Sequence, residues 1–178
     1  MTSCASLLGE NEAFSMIDGR YSLLIDTNVW LDYLLGREGV QEATAAIQCA
    51  LDHEDVLVTT PGILKDVFFL IGASLKGWTR EAGEKVAEES VLAVNEISWT
   101  CLSQIQGMTI VLNLGFAEHL EASALRSKNP DYEGNLLVAT AQNAKADYII
   151  TGDKGLLVND VVSAITPAEY VEMRGKSC

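Results

Sequence analysis

The sequence predicts a three-layer α/β sandwich on a mostly parallel central sheet of four or five strands, and three observations lead there. Short, continuous, partly β-branched apolar runs alternate along the chain with longer stretches of helical period. Runs of that kind suit strands covered on both faces, unlike the in-out alternation of a half-solvated sheet. The segments between them are too long for hairpin turns, so the strands are joined by crossovers and lie parallel. With 178 residues, 48% of them hydrophobic, the chain is long enough for one domain with a substantial core.

The elements follow in order. Residues 1–20 show neither pattern and lack the basic start and unbroken apolar stretch of a secretory leader, so they read as a loosely ordered extension to a domain spanning 21–178. The apolar run Ser22–Ile25 is the first strand, followed by helical patterns at Asn28–Leu35 and Val40–His53. Val56–Thr59 is the second strand. Thr60-Pro61 then puts a hydroxyl at the N-cap and a proline at the first helical position, opening a helix over 61–76. The segment Arg80–Ile105 reads as one or two helices outside a minimal sheet domain. There Glu81, Glu84, Lys85, Glu88 and Glu89 form a solvated face over the apolar stripe Val86, Val94, Ile97, Leu102 and Ile105. Thr109–Leu112 is the third strand, helices follow at Ala117–Ser127 and Glu133–Ala144, and Tyr148–Ile150 is the fourth strand. Val161–Ile165 is a weaker fifth, closed by the capping box Thr166-Pro-Ala-Glu169.

Twelve Lys plus Arg against 25 Asp plus Glu give a net charge of −13. This excludes the broad basic surface that grips duplex DNA through its phosphates, so any nucleic acid is held locally, through metal. Cys4, Cys49, Cys101 and Cys178 lie far apart without zinc-ligand spacing and read as reduced thiols. No stretch approaches the ~18 apolar residues of a membrane span. A cytoplasmic protein without membrane contact is expected.

In an open parallel sheet, ligands bind outside the carboxyl ends of the strands. Here those ends are acidic: Asp26 follows the first strand and Asp153 the fourth, Asp66 lies one and a half turns into the helix after the second, and Asp131 and Glu133 open the helix leading into the fourth. Carboxylates clustered without matching Lys or Arg repel one another until a divalent cation neutralises them. Oxygen donors alone favour Mg²⁺ or Mn²⁺, which keep waters and bind phosphate oxygens, and such ions promote phosphodiester hydrolysis. Thr27, Asn28 and Thr151 are placed to support the carboxylates by hydrogen bonds. The competing structural roles are N-caps for Asp26 and Asp131, a turn for Asp153 and a surface position beside Lys65 for Asp66. His53 and His119 stand isolated, which argues against a nucleophilic Ser-His or Cys-His pair. Trp30, Trp78, Trp99, Phe68 and Phe69 are spaced as core aromatics.

Four stretches carry a resemblance: Leu-Leu-Ile-Asp26-Thr27-Asn28, Thr-Thr-Pro-Gly-Ile-Leu-Lys-Asp66, Asp131-Tyr-Glu-Gly-Asn-Leu-Leu-Val-Ala-Thr-Ala and Tyr-Ile-Ile-Thr-Gly-Asp153. In order and spacing they resemble the motifs of the PIN-domain family, over about Tyr21 to Val162. The resemblance implies a Mg²⁺- or Mn²⁺-dependent ribonuclease of the kind found as VapC-like toxins of toxin-antitoxin pairs. It implies RNA as substrate, an antitoxin as partner, a homodimer, and metal ligands at Asp26, Asp66, Asp131 and Asp153 with Glu133 beside them.

Two positions depart from the family pattern. Asp66 stands where Glu is usual, and Gly134 stands where an Asp is expected. Asp131 lies one turn earlier on the same helical face, and Glu133 is adjacent but rotated by about 100°. If neither fills the place of the missing acid, the alternative is a catalytically impaired PIN-like module that binds protein or RNA. A phosphotransferring Asp enzyme of the haloacid dehalogenase kind needs a second Asp where Asn28 stands.

Overall fold

The computed structural model describes residues 19–83 and 88–175. It has the elements β1 (Ser22–Ile25), α1 (Thr27–Leu35), α2 (Val40–Asp52), β2 (Val56–Thr59), α3 (Pro61–Glu81) and α4 (Glu88–Met108). These are followed by β3 (Ile110–Val111), α5 (Phe116–Ala124), α6 (Tyr132–Asn143), β4 (Tyr148–Ile150), α7 (Lys154–Leu157), β5 (Ala164–Ile165) and α8 (Pro167–Gly175). All five strands are parallel in the order β3-β2-β1-β4-β5, and helices flank the sheet, so the α/β class predicted above is the observed one. The N-terminal extension, apart from Gly19 and Arg20, lies outside the described residues, as do Cys4, Cys178, Glu84, Lys85 and Val86.

The two central strands account for the core. Leu23, Leu24 and Ile25 of β1 and Ile149 and Ile150 of β4 are at most 2% exposed, because helices cover both faces. Against them pack Trp30 of α1, Ile47 of α2, Val67 and Ile71 of α3, and Val138 of α6. The third strand differs from expectation. It shrinks to Ile110 and Val111, both more than 40% exposed, since it is an edge strand with nothing beyond it.

The predicted helical segment at 80–105 also needs correction. The third helix does not stop at Lys76 but runs on through Arg80 to Glu81, where Ala82 and a left-handed Gly83 (φ 76°) end it. Among the described residues the rest of the segment belongs to one helix, α4, which packs back on α3. Of the aromatics read as core, Trp30 alone is fully buried. Phe69 (65% exposed), Trp78 and Trp99 sit on the surface, because none of the described residues covers these sides of α3 and α4.

The last helix is fixed by a buried ion pair. Asp55, after α2, accepts from the Tyr170 hydroxyl and from the Arg174 guanidinium, and Arg174 lies over the Tyr21 ring at 4.0 Å. The Thr166–Glu169 capping box is formed as read, with Glu169 accepting from the Thr166 amide at 2.8 Å and Thr166 Oγ1 accepting from the Glu169 amide at 3.2 Å.

Candidate functional site

The strand order reverses at β1, whose neighbours are β2 on one side and β4 on the other, so the crevice at their carboxyl ends is the topological switch point. A cleft of about 810 Å³ opens there. Asp26, Asp66, Asp131, Glu133 and Asp153 all line it, together with Thr27 and Asn28.

Asp26 is the most embedded of the acids. It ends β1 and caps α1, its Oδ1 accepting from the Thr27 amide at 2.6 Å. Its Oδ2 accepts from the Thr151 hydroxyl at 2.6 Å and from the Asn28 side-chain amide. Burial pushes this carboxyl above the ordinary range; the three hydrogen bonds pull it back, and the charge of Asp153 raises it further. Thr151, fully buried behind the site, also accepts from the Asp153 amide at 2.9 Å, and Asn28 Oδ1 accepts from the Gly152 amide at 3.0 Å. Asn28 and Thr151 therefore tie the β1 and β4 ends together through side chains, whereas Thr27 contributes only its backbone amide to Asp26.

The other acids are held by separate partners. Asp131 caps α6, accepting from the Glu133 and Gly134 amides at 3.2 and 3.0 Å. Asp153 caps the short α7 through the Gly155 and Leu156 amides. Asp66 is ion-paired with Lys65 at 2.9 Å, so the carboxylates are not without a cation as the sequence reading had them. Glu133 is pushed up to about 7, first by its hydrogen bond to Asp66, then by burial and by the charges of Asp66 and Asp131.

Gly134 is buried on α6. A Cβ added there would lie 2.6 Å from Asp131 Oδ2 and 3.4 Å from Leu156 Cδ2. The Asp131 carboxylate thus occupies the space into which a side chain at 134 would grow, and the missing side chain at 134 makes room for it.

As donors the set fits a hard divalent ion, since carboxylates and hydroxyls line the cleft and, among the described residues, no Cys or His does. Among the described residues, however, no three acidic, Cys or His side chains are gathered closely enough to hold one as they stand. The reason is visible in the partners: three of the acids are turned back onto helix amides and the fourth onto Lys65.

The two histidines are not isolated. His119 Nδ1 lies 3.0 Å from the Tyr132 hydroxyl, and His53 Nδ1 lies 2.8 Å from the Cys49 carbonyl and 3.6 Å from Cys49 Sγ. Burial pushes the Cys49 thiol up, away from the thiolate form that a nucleophile needs. Sequence reasoning missed Lys65 and Tyr132 as cleft residues. Their placement beside Asp66 and between Asp131 and Glu133 was the available signal.

Comparison with known proteins agrees with this topology. The family profile described as "PIN domain" matches residues 22–155. Among solved structures, the crystal structure of VapBC2 from Rickettsia felis, bound to a DNA fragment from its promoter, superposes with a TM-score of 0.58 at 7% identity. The match covers 82% of this chain and 98% of the other, a likeness of fold. No curated protein matches the sequence.

Proposed function

Because the chain belongs to the PIN-domain family, whose members are generally nucleases, we propose that it is a metal-dependent ribonuclease that hydrolyses RNA phosphodiester bonds. The observation that carries this reading is the partly desolvated Asp26 at the switch point, facing one cleft with Asp66, Asp131, Glu133 and Asp153. Asp26, Asp66, Asp131 and Asp153 would hold Mg²⁺ or Mn²⁺, with Glu133 beside them. When bound, the ion supplies Lewis-acid activation of water and charge neutralisation at the phosphoryl group. Asn28 and Thr151 orient Asp26, and the N-cap bonds of Asp131 and Asp153 fix where their remaining lone pairs point. Lys65 is placed to meet a phosphate oxygen if Asp66 turns to the ion.

The test is cleavage of single-stranded RNA by the full chain with Mn²⁺, with EDTA, and by Asp26→Asn. Cleavage that requires Mn²⁺ and is lost in Asp26→Asn is expected; cleavage indifferent to both would overturn the reading.

A second reading is favoured by the engagement of the acids with caps and Lys65. On that reading the chain is a catalytically impaired PIN-like module that binds protein or RNA. It predicts no Mn²⁺-dependent cleavage and no thermal stabilisation by Mn²⁺.

The Rickettsia felis structure is of a VapBC2 complex, and by likeness we propose an antitoxin partner and a cytoplasmic setting for this chain. We also propose a homodimer through the outer sides of α3 and α4, where Trp78, Ile97 and Trp99 are exposed. Sedimentation as a monomer at micromolar concentration would reject the dimer.

A further inference from the structure

Helix α6 buries two polar side chains among its apolar ones, Asn135 and Thr140. Thr140 bonds within its own helix, its hydroxyl donating to the Leu136 carbonyl at 2.7 Å, as a helical threonine ordinarily does. Asn135 is different. It is 3% exposed, and its Nδ2 donates at 2.8 Å to the carbonyl of Asn129, six residues back and outside the helix. An amide is costly to bury without a partner, and an apolar side chain would serve the core at this position equally well. The bond to the loop is what an asparagine adds.

That bond bears on Asp131. The Asn129 side chain reaches forward past Pro130, which has no N–H, and its Oδ1 accepts from the Asp131 amide at 3.0 Å. The backbone amide of Asn135 donates to the Asp131 carbonyl at 3.1 Å. Asn135 therefore grips residue 129 with its side chain and residue 131 with its backbone, while Asn129 ties the two together. The Asp131 carboxylate is left seated on the Glu133 and Gly134 amides, over the place where Gly134 has no side chain. The start of the loop is held by the Lys128 and Asn129 amides on the Leu125 carbonyl. Lys128 also meets Asp160 at 2.8 Å, but both side chains are more than half exposed, where an ion pair contributes little. The end of the loop, next to Asp131, depends on Asn135.

On the basis of the ribonuclease reading, we propose that Asn135 is a positioning residue: through Asn129 it fixes the seat of the Asp131 carboxylate on the α6 cap and so sets how well that carboxylate serves a divalent ion. Asn135 lies beneath the cap and acts through the loop rather than by touching metal or substrate.

Two measurements on the full chain test this. The first is amide hydrogen exchange by nitrogen-15 NMR in EDTA, which reads the seat without metal. Asn135→Leu, which removes the donor and keeps similar bulk, should speed exchange at Asp131, Glu133 and Gly134 by about tenfold and leave residues 138–141 as protected as in wild type. Asn129→Ala changes a loop residue outside the core and should do the same, whereas Asn129→Asp, which keeps the acceptor, should stay within about threefold of wild type. The second is calorimetric titration with Mn²⁺, in which Asn135→Leu and Asn129→Ala should each weaken binding about tenfold or more. The double variant should bind no worse than the weaker single, because both break one relay. Cap amides that exchange as in wild type in both single variants would overturn the proposal. So would faster exchange along the whole of α6, the mark of a merely structural asparagine, or unchanged Mn²⁺ affinity in variants of a wild type that binds the ion. A wild type that binds no Mn²⁺ and cuts no RNA removes the ribonuclease reading, and the exchange data then decide alone whether Asn135 seats Asp131.

Discussion

Gly134 is the position where a single side chain separates two accounts of the site. If the family's acid has simply been lost, Gly134→Asp should restore it; if Asp131 has taken its place, any side chain at 134 should do harm. The geometry favours the second. A Cβ at 134 would lie 2.6 Å from Asp131 Oδ2, well inside contact distance, so the Asp131 carboxylate must swing away. It then gives up the cap bonds to the Glu133 and Gly134 amides. Losing an Asp N-cap costs about 1 kcal/mol, while replacing glycine by alanine in a helix returns up to about 1 kcal/mol. Gly134→Ala should therefore leave stability within about 1 kcal/mol of wild type. Activity has no such compensation, because displacing a catalytic group by about 1 Å can cost on the order of 100-fold.

The assay is Mn²⁺-dependent cleavage of a single-stranded RNA at saturating metal, with thermal denaturation of the same preparations to show that each is folded. Gly134→Ala should be slower by one to two orders of magnitude at nearly unchanged melting temperature. Gly134→Asp should be no faster than Gly134→Ala, since its added charge crowds Asp131 and Glu133. Asp131→Ala should be slowest of all. A Gly134→Asp protein that cleaves faster than wild type would refute the reasoning and mark the position as vacated.

Further expectations follow from the same structure. Millimolar Mn²⁺ should raise the melting temperature, by the equivalent of about 2.7 kcal/mol at a hundredfold excess over Kd, and Asp26→Asn should abolish the rise without unfolding the metal-free chain; a wild-type curve indifferent to Mn²⁺ would count against the site. Glu133 holds its proton more tightly when folded, up to about 7 against an ordinary 4.5, so the folded state binds more protons and the metal-free protein should lose stability as pH rises through that interval. Denaturant titrations at pH 5 and pH 7.5 should show that loss shrinking in Glu133→Gln, and an identical pH slope in both proteins would contradict it. Arg174→Ala should cost about 3–5 kcal/mol in chemical denaturation, because it leaves Asp55 buried and unpaired, while Asn28→Ala should lower activity with little effect on stability.

How much of this was legible in the sequence depends on what each residue's neighbours are. Strands β1, β2 and β4 could be read to the residue because they are buried on both faces, and their burial is written as unbroken apolar runs. The edge strand β3 has no such pressure and kept only two of its four predicted residues. The extent of α3 was hidden because its last turns meet α4 rather than the sheet, so the apolar pattern there answers to a partner that sequence spacing does not name.

The same logic governs the site. That five acids would face one cleft followed from their positions after the strands of a parallel sheet, four of them just past a strand end or at a helix start and Asp66 one and a half turns into the helix after β2. The private partners were legible only as the competing structural roles, N-caps for Asp26 and Asp131, a turn for Asp153 and a place beside Lys65 for Asp66; all are formed, since N-cap bonds depend on which amides a turn presents and the Lys65–Asp66 pair on rotamers. Those partners carry a consequence for metal affinity. An ion must draw Asp66 away from Lys65 before it can use it, and must compete with the proton that Glu133 holds more tightly than an ordinary carboxyl, so the outer side of the site costs free energy to assemble, while Asp26 is already fixed by Thr151 and Asn28. Lys65→Met should accordingly tighten Mn²⁺ binding by removing the competing cation, even as it weakens cleavage by removing a phosphate contact. Calorimetry that finds Mn²⁺ bound no more tightly to Lys65→Met than to wild type would show that Asp66 is not among the ligands.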